Sequence, residues 1–99
     1  MAIPDYETIM LPLLEFAADQ KEHSFSEALD AMAKRFNLTD EERNKLLPSG
    51  KKTIFGNRMF YARVYLKQAG LLEYTKPKHF RITQKGIDVL KSNPEKNRL

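Results

Sequence analysis

The stretch FGNRMFYARVYLKQAG, residues 55–70, decides how the rest of the chain is interpreted. Its small and apolar side chains recur at helical spacing, each three or four residues after the last. The residues on this line, the apolar seam, are Phe55, Met59, Ala62, Leu66 and Ala69. We therefore predict a helix over 55–69 that buries the seam in a core, with Gly70 ending it as a C-terminal cap.

The outer face of this predicted helix carries side chains that packing alone does not require. Four large apolar residues lie off the seam, namely Phe60, Tyr61, Val64 and Tyr65. They are interleaved with three cations, Arg58, Arg63 and Lys67. A helix that only had to pack would carry short polar residues there, so we expect this face to contact something outside the domain. Tyr65 is the exception, because we expect it to pack in the core.

Two short runs with apolar residues at alternate positions follow the helix. LLEY (71–74) and HFRIT (79–83) are joined by TKPK, and together they predict a β-hairpin. Thr83 then caps a final helix, from Gln84 to about Ser92. A helical bundle followed at once by a basic two-stranded hairpin is the plan of a winged helix-turn-helix. The long helix would be the recognition helix and the hairpin the wing.

Upstream of the quoted stretch, the sequence predicts two further helices of ordinary length. The first runs from Asp5 to Asp19 and is interrupted by Pro12, which is tolerated well only in a first turn. The polar segment DQKEHS is predicted as a loop. Ser26 or Ser24 then caps a second helix, which ends at Asn37.

A short third helix is indicated by TDEER, residues 39–43. Thr39 can accept a hydrogen bond from the amide of Glu42, whose carboxylate can reach back to the Thr39 amide, which is a capping box. This helix is expected to end at about Leu47, and LPSGKKT is expected to be a loop. The predicted fold class is therefore mainly α with a small β-hairpin, arranged as a winged helix-turn-helix.

Composition and length indicate one soluble domain over residues 1–92, followed by a polar tail, 93–99, that would suit a linker to another domain. The chain has no cysteine, which excludes disulfides and a thiolate zinc site and fits a reducing cytoplasm. No apolar run approaches the ~20 residues of a membrane span. The N-terminus has no basic region of a secretory signal. We expect a cytoplasmic protein without a membrane partner.

Charge is distributed very unevenly between the two halves of the chain. Residues 1–50 hold five Lys/Arg and ten Asp/Glu, a balance of −5. Residues 51–99 hold twelve Lys/Arg and three Asp/Glu, a balance of +9. An asymmetry of this size suggests that the second half faces a polyanion, with an ordinary solvated basic surface as the alternative.

Several motifs in the chain are distinctive when taken together. LPSG at 47–50 is followed by Asn-Arg, Ala-Arg and Tyr-Leu-Lys within 57–67, then by Ala-Gly-Leu-Leu at 69–72 and ITQKGIDVL at 82–90. The opening segment PDYETIMLPLLEFA, residues 4–17, fits the same pattern. Over nearly its whole length the chain resembles the N-terminal domain of Mrr-type restriction proteins. It departs from that pattern by having aromatic residues where a small residue and a tryptophan are usual, at Phe60 and Tyr61.

The resemblance implies a DNA-binding module. In restriction proteins of this type the module precedes a separate nuclease domain that cuts DNA carrying modified bases. The expected partner is double-stranded DNA, methylated or not, and the nuclease domain would be covalently linked to the module. The chain itself would then not be an enzyme.

No convincing catalytic constellation is found in the sequence. A nuclease of that class would carry Pro-Asp followed by Asp/Glu-x-Lys, and these letters occur as Pro4-Asp5 and Asp19-Gln20-Lys21. We reject the match because the acids bracket one helix of roughly 14 residues and would lie about 20 Å apart. His23 and His79 have no ligand-spaced partner, so no metal is expected. Ser49-Gly50-Lys51 lacks the upstream glycine of a phosphate-binding loop, so no nucleotide cofactor is expected.

Candidate DNA-binding residues come from the loop, the long helix and the hairpin. Lys51, Lys52 and Thr53 precede the helix, where their charges and the first free amides would face a phosphate together. Asn57 and Gln68 project opposite the apolar seam. The full set of candidates is Lys51, Lys52, Thr53, Asn57, Arg58, Tyr61, Arg63, Gln68, Lys76, Lys78 and Arg81.

Arg58 is the strongest single candidate, because the first turn of a recognition helix approaches base edges most closely. As an alternative, Arg58 or Arg63 pairs with an acid of the first half. Two other functions stay open. One is a protein-interaction module that forms a homodimer through the outer-face residues Phe60, Tyr61 and Val64. The other is a winged-helix transcriptional regulator with one specific operator.

Overall fold

The computed structural model describes residues 3–92, and the predicted tail at 93–99 lies outside the described residues. The helices in this part of the chain are α1 (Tyr6–Phe16), α2 (Phe25–Arg35), α3 (Asp40–Asn44), α4 (Ile54–Gln68) and α5 (Gln84–Lys91). The strands are β1 (His23–Ser24), β2 (Leu72–Lys76) and β3 (His79–Ile82). The molecule is mainly α with a small antiparallel sheet, as predicted.

Each of these helices begins at a side chain that accepts a hydrogen bond from the amide three residues further on. The capping residues are Asp5, Ser24, Thr39, Thr53 and Thr83. Ser24 rather than Ser26 caps α2, and Glu27 completes a capping box with it. The predicted capping box of Thr39 and Glu42 is confirmed. These caps satisfy amides that a helix leaves unpaired, and so they fix where each helix begins.

Proline in the interior does not prevent α1 from forming. Pro12 lies inside the helix, where it has no N–H to bond to the Thr8 carbonyl. The α-helix ends at Phe16, and a single 3₁₀ turn, Ala17–Asp19, carries the chain to the predicted end. The Asp5 cap and the packing of the helix therefore outweigh the lost hydrogen bond.

The core forms chiefly where α4 packs against α1. Four of the five seam residues are buried, namely Phe55, Met59, Ala62 and Leu66. The fifth prediction is wrong, because Ala69 is the C-cap of α4, beyond its last turn, and is exposed. The buried residues they meet come from α1, α2 and the hairpin: Ile9, Leu13, Leu14, Ala28, Met32, Ala33, Leu72, Phe80 and Ile82.

The three strands form one antiparallel sheet in the order β1–β3–β2. β2 and β3 pair as the predicted hairpin. The prediction of a loop over DQKEHS is wrong at its end, because His23 and Ser24 pair with Phe80 and His79 as β1. A strand of two residues is too short to show an alternating pattern, so the sequence carried no signal for it.

The hairpin is fixed at both of its ends. At its tip, Lys78 has a φ of 61° and its carbonyl accepts a hydrogen bond of 2.8 Å from the Phe25 amide, which ties the hairpin to the start of α2. At its base, a Cβ on Gly86 of α5 would lie 2.4 Å from the Leu71 carbonyl oxygen, so only glycine fits. The order of helices and strands is that of a winged helix-turn-helix. No helix within residues 3–92 is long and apolar enough to cross a bilayer.

Candidate nucleic-acid interface

The loop before α4 is an ordered turn that presents two lysines. α3 ends at Asn44 rather than near Leu47, because the chain after it is extended and pairs with the segment entering α4. The Leu47 amide donates to the Lys52 carbonyl at 2.9 Å. Lys51 and Lys52 are both exposed. Thr53 accepts a hydrogen bond of 2.9 Å from the Gly56 amide, so its hydroxyl is engaged as the cap of α4.

Arg58 lies on one side of α4 and is engaged by the chain's own backbone. Its Nη1 donates a hydrogen bond of 2.8 Å to the Ile3 carbonyl, and the Pro4 carbonyl lies 3.5 Å away. The residue is half-buried. Within the described residues its hydrogen bonds thus go to backbone carbonyls, and it forms no ion pair with an acid of the first half, which was the alternative. Its contact with DNA stays a prediction. The structure gives Arg58 the role of fastening the N-terminal segment to α4.

Arg63 lies on the other side of α4, among three aromatic rings that we call the aromatic cage. Its guanidinium carbon lies 4.7 Å from the ring centre of Phe25, 5.1 Å from Phe60 and 5.0 Å from Tyr74. The ammonium of Lys67 lies 5.2 Å from the Tyr74 ring. The Nε of Arg63 is buried and has no hydrogen-bond partner among residues 3–92. Ring faces attract cations, so the cage fixes the guanidinium while leaving its charge unneutralised.

A row of partly exposed rings crosses the outer face of α4. The ring centres of Tyr6 and Tyr65 are 5.0 Å apart, those of Tyr65 and Tyr61 6.3 Å, and those of Tyr61 and Phe60 5.4 Å. The prediction that Tyr65 packs in the core is wrong, because its side of α4 faces the exposed Tyr6 and leaves it 40% exposed. We call these four residues the aromatic row. Exposed large apolar side chains of this number indicate a contact surface.

Two of the three predicted cations of the wing are paired with carboxylates, and the third is exposed. Arg81 donates two hydrogen bonds to the Glu73 carboxylate, at 2.6 and 3.0 Å, from the position directly opposite it in the sheet. Lys76 lies 3.4 Å from the Glu22 carboxylate. Lys78 is exposed at the tip of the hairpin. The wing therefore presents less free positive charge than its sequence suggests.

A groove lies between the start of α2 and the first turns of α4. It has a volume of about 290 Å³. Its lining residues are Phe25, Lys52, Thr53, Gly56, Asn57 and Phe60. We call it the Phe25–Phe60 groove. Three of the predicted site residues meet here, whereas Gln68 lies exposed in the last turn of α4.

Sequence reasoning missed two members of this site. Phe25 directly follows the cap of α2 and Tyr74 lies in β2, so only the tertiary fold brings their rings to Arg63. The apolar character of Phe25 gave no signal, because an apolar residue in the first turn of a helix is ordinary. Phe60 had been flagged as an outer-face aromatic but had not been placed in the site.

A buried histidine forms a second cluster away from α4. His23 is 7% exposed, and its two ring nitrogens each lie 2.9 Å from a carboxylate, Asp19 on one side and Glu27 on the other. Burial opposes the charged form, but the bonds to the two carboxylates outweigh it, so the pKa of His23 is raised. The His23 bond likewise lowers the pKa of Glu27. Within residues 3–92 no group of metal-ligating side chains is arranged to hold an ion.

The order of the helices and the small antiparallel sheet are compatible with the class of winged helix-turn-helix domains. The family model described as the Mrr N-terminal domain matches residues 6–92, and the chain belongs to that family. The expected resemblance is therefore confirmed.

One curated relative is the type IV methyl-directed restriction enzyme EcoKMrr of Escherichia coli (strain K12). The two are 29% identical over 96 residues, which cover 96% of this chain and 31% of the enzyme. The chain thus spans less than a third of that relative's length. No solved structure matches the chain.

Proposed function

We propose that this chain binds double-stranded DNA at the N-terminal part of α4, as the recognition module of a restriction protein. The observation that carries the proposal is a set of cations that no acid neutralises. In the part of the chain that the structure describes, Lys51, Lys52 and Arg63 form no ion pair. Both arginines of the acidic half are paired, Arg35 with Glu15 and Arg43 with Asp30. Lysines of that half such as Lys34 form no ion pair within the described residues either, so the argument rests on the free cations that lie beside the start of α4. Unpaired cations gathered on one side are the electrostatic footprint of a polyanion site.

In this proposal, phosphate contacts hold the duplex and a few polar groups read it. Lys51 and Lys52 contact one phosphate region, and Lys78 at the wing tip contacts another. The amides of Ile54 and Gly56 at the start of α4 already donate to the Lys45 carbonyl and the Thr53 hydroxyl, so they take no part. Asn57 lines the groove beside them and carries an amide, which pairs well with base edges. Gln68 carries the same group at the far end of α4.

The linked nuclease domain and the recognition of methylated DNA also belong to the proposal. They are supported by the name of the relative, a methyl-directed restriction enzyme, and by the small share of that enzyme that this chain covers. The chain would then bind DNA without cutting it. Incubation with magnesium and methylated or unmethylated plasmid should leave both intact, and cleavage abolished by Asp19→Ala would contradict this.

The first test of the proposal is the salt dependence of duplex affinity. If Lys51, Lys52, Arg63 and Lys78 each meet a phosphate, log K should fall with log salt with a slope of about −3.6, at about 0.9 per contact. The Lys51→Ala/Lys52→Ala double variant should bind more weakly with a slope nearer −1.8. Lys34→Ala, in the last turn of α2, is the matched control and should leave the slope unchanged. A slope near zero in the wild-type protein would overturn the proposal.

The aromatic row favours a second candidate function, self-association. Tyr6, Tyr61 and Tyr65 are 37%, 44% and 40% exposed, respectively. Aromatic residues are enriched in protein interfaces. Sedimentation without DNA distinguishes the two candidates, because a dimer should form with rising protein concentration and should weaken in Tyr61→Ser. A monomer at every concentration would exclude this second function.

A further inference from the structure

The Phe25–Phe60 groove has features of a site for one flat ring. Two aromatic side chains line it, and Phe60 leaves 42% of its surface exposed. The polar groups that line it converge from one short stretch, with Lys52 and Thr53 before α4 and Asn57 in its first turn. A mainly apolar pocket with a few convergent polar groups is the usual form of a small-ligand site.

We propose that this groove receives a single nucleobase that has left the duplex stack. The inference rests on the proposed DNA binding and names what part of the DNA the site takes. Stacking on an aromatic ring suits any base, because every base has a π-face. The Asn57 amide has both a donor and an acceptor, which is what hydrogen bonding to a base edge requires. Lys52 lines the groove and would hold the phosphate beside the displaced nucleotide.

Arg63 acts in this site as a positioning residue. Its guanidinium carbon lies 4.7 Å from the Phe25 ring and 5.1 Å from the Phe60 ring, so it holds the two lining rings relative to each other. Within residues 3–92 its Nε is buried without a hydrogen bond and its guanidinium forms no ion pair, so no described acid cancels its charge. The groove is thus both pre-formed and electropositive before DNA arrives.

A larger depression beside α3 does not compete for this role. It has a volume of about 690 Å³, and two of its lining residues are the carboxylates Glu41 and Glu42. Among residues 3–92, Lys45 is the one cation that lines it, and no aromatic ring of these residues lines it for a base to stack on. The two carboxylates would repel a polyanion there.

The test compares two duplexes of one sequence, differing in one unpaired adenine at the centre of the second. An unpaired base costs less to extrude than a paired one. The wild-type protein should therefore bind the bulged duplex about tenfold more tightly in a fluorescence anisotropy titration. Phe60→Ala should abolish this preference while changing the affinity for the paired duplex much less. Thermal melting of Phe60→Ala confirms that the variant is folded.

Tyr61→Ala is the matched control, because Tyr61 is an equally exposed ring on the same helix that does not line the groove. It should keep the preference for the bulge. Equal affinity of the wild-type protein for the two duplexes would overturn the inference while leaving duplex binding intact. A preference that survives Phe60→Ala would overturn it too, because bending of the bulged DNA would then explain the preference. Failure to bind either duplex would instead overturn the proposed function itself.

Discussion

The two sides of α4 each carry an arginine, and these arginines have opposite surroundings. Arg58 donates a hydrogen bond of 2.8 Å to the Ile3 carbonyl, while Arg63 lies in the aromatic cage with its Nε unbonded. One charge is engaged in holding the chain together, and the other stays available to a ligand. Position along the helix favoured Arg58 as the DNA contact, whereas the partners supplied by distant segments favour Arg63.

The largest expected effect is a difference in stability between substitutions on the buried seam of α4 and substitutions on its exposed sides. Met59 is completely buried, so Met59→Ala should cost about 2–5 kcal/mol of unfolding free energy. Phe60→Ala, at the next position but 42% exposed, should cost less than half as much. Urea denaturation of both variants measures the difference. Equal losses would mean that the ring of Phe60 belongs to the core and that the two faces are not distinct.

The next largest effect tests the two arginines directly. Arg58→Ala removes a half-buried charged hydrogen bond, so it should cost about 1.5–3 kcal/mol of stability while duplex affinity stays within about twofold. Arg63→Met fills the cage without the charge and should weaken duplex binding about tenfold, or about 1.4 kcal/mol. Melting and anisotropy titration of both variants give the answer.

The opposite result would reverse the comparison. If Arg58→Ala melted normally and bound DNA ten- to a hundredfold more weakly, Arg58 would leave the Ile3 carbonyl and contact base edges, as its place in the first turn predicted. Arg58→Lys is a useful companion variant, because it keeps the charge but not the geometry of the guanidinium.

The sequence predicted a feature well when the residues that form it are close together along the chain, and poorly when they are far apart. The four buried seam residues of α4, the capping box of Thr39 and the end of α4 just before Gly70 depend on residues within a few positions, and periodicity and cap chemistry predicted them. The Ile3 partner of Arg58 and the Tyr74 side of the cage depend on segments far away along the chain. β1 was missed because two residues carry no period. Local patterns therefore predicted the helices and the hairpin well, but they could not show which cations have a partner inside the domain.

The His23 cluster, which attaches the sheet to the start of α2, makes the stability of the protein depend on pH. His23 joins β1 to the 3₁₀ turn and α2 through Asp19 and Glu27. Its pKa is raised in the folded protein, so its contribution is complete below the unfolded value of about 6.5 and is lost as pH rises through the folded value. The pKa values of Asp19 and Glu27 are lowered, so their contribution is lost only at acid pH.

Stability should therefore be greatest in mildly acid solution and should fall towards pH 8. His23→Gln should be less stable at mildly acid pH and should remove most of the decline between pH 6 and 8. Urea denaturation across this range measures the stability of both proteins. Parallel pH profiles in the two proteins would mean that the pKa of His23 is the same in the folded and unfolded protein, which would contradict this prediction.

The smallest effect concerns two of the three cations of the wing, Arg81 and Lys78, which differ as Arg58 and Arg63 do. Arg81 is paired with Glu73 across the sheet, as Arg58 is engaged by backbone, whereas Lys78 at the tip is exposed. A pair in which both side chains are about half exposed is worth about 0–1 kcal/mol, so Arg81→Ala should barely change stability. Lys78→Ala should reduce the salt slope by about 0.9, but Arg81→Ala should leave it nearly unchanged. Glu73→Ala should do the reverse and strengthen duplex binding slightly, because it releases the charge of Arg81 to the phosphates.

If Arg81→Ala and Lys78→Ala reduced the slope equally, Arg81 would exchange Glu73 for a phosphate on binding. A partner inside the domain would then be a poor guide to which cations contact DNA. The assignment of a purely structural role to Arg58 would fail for the same reason.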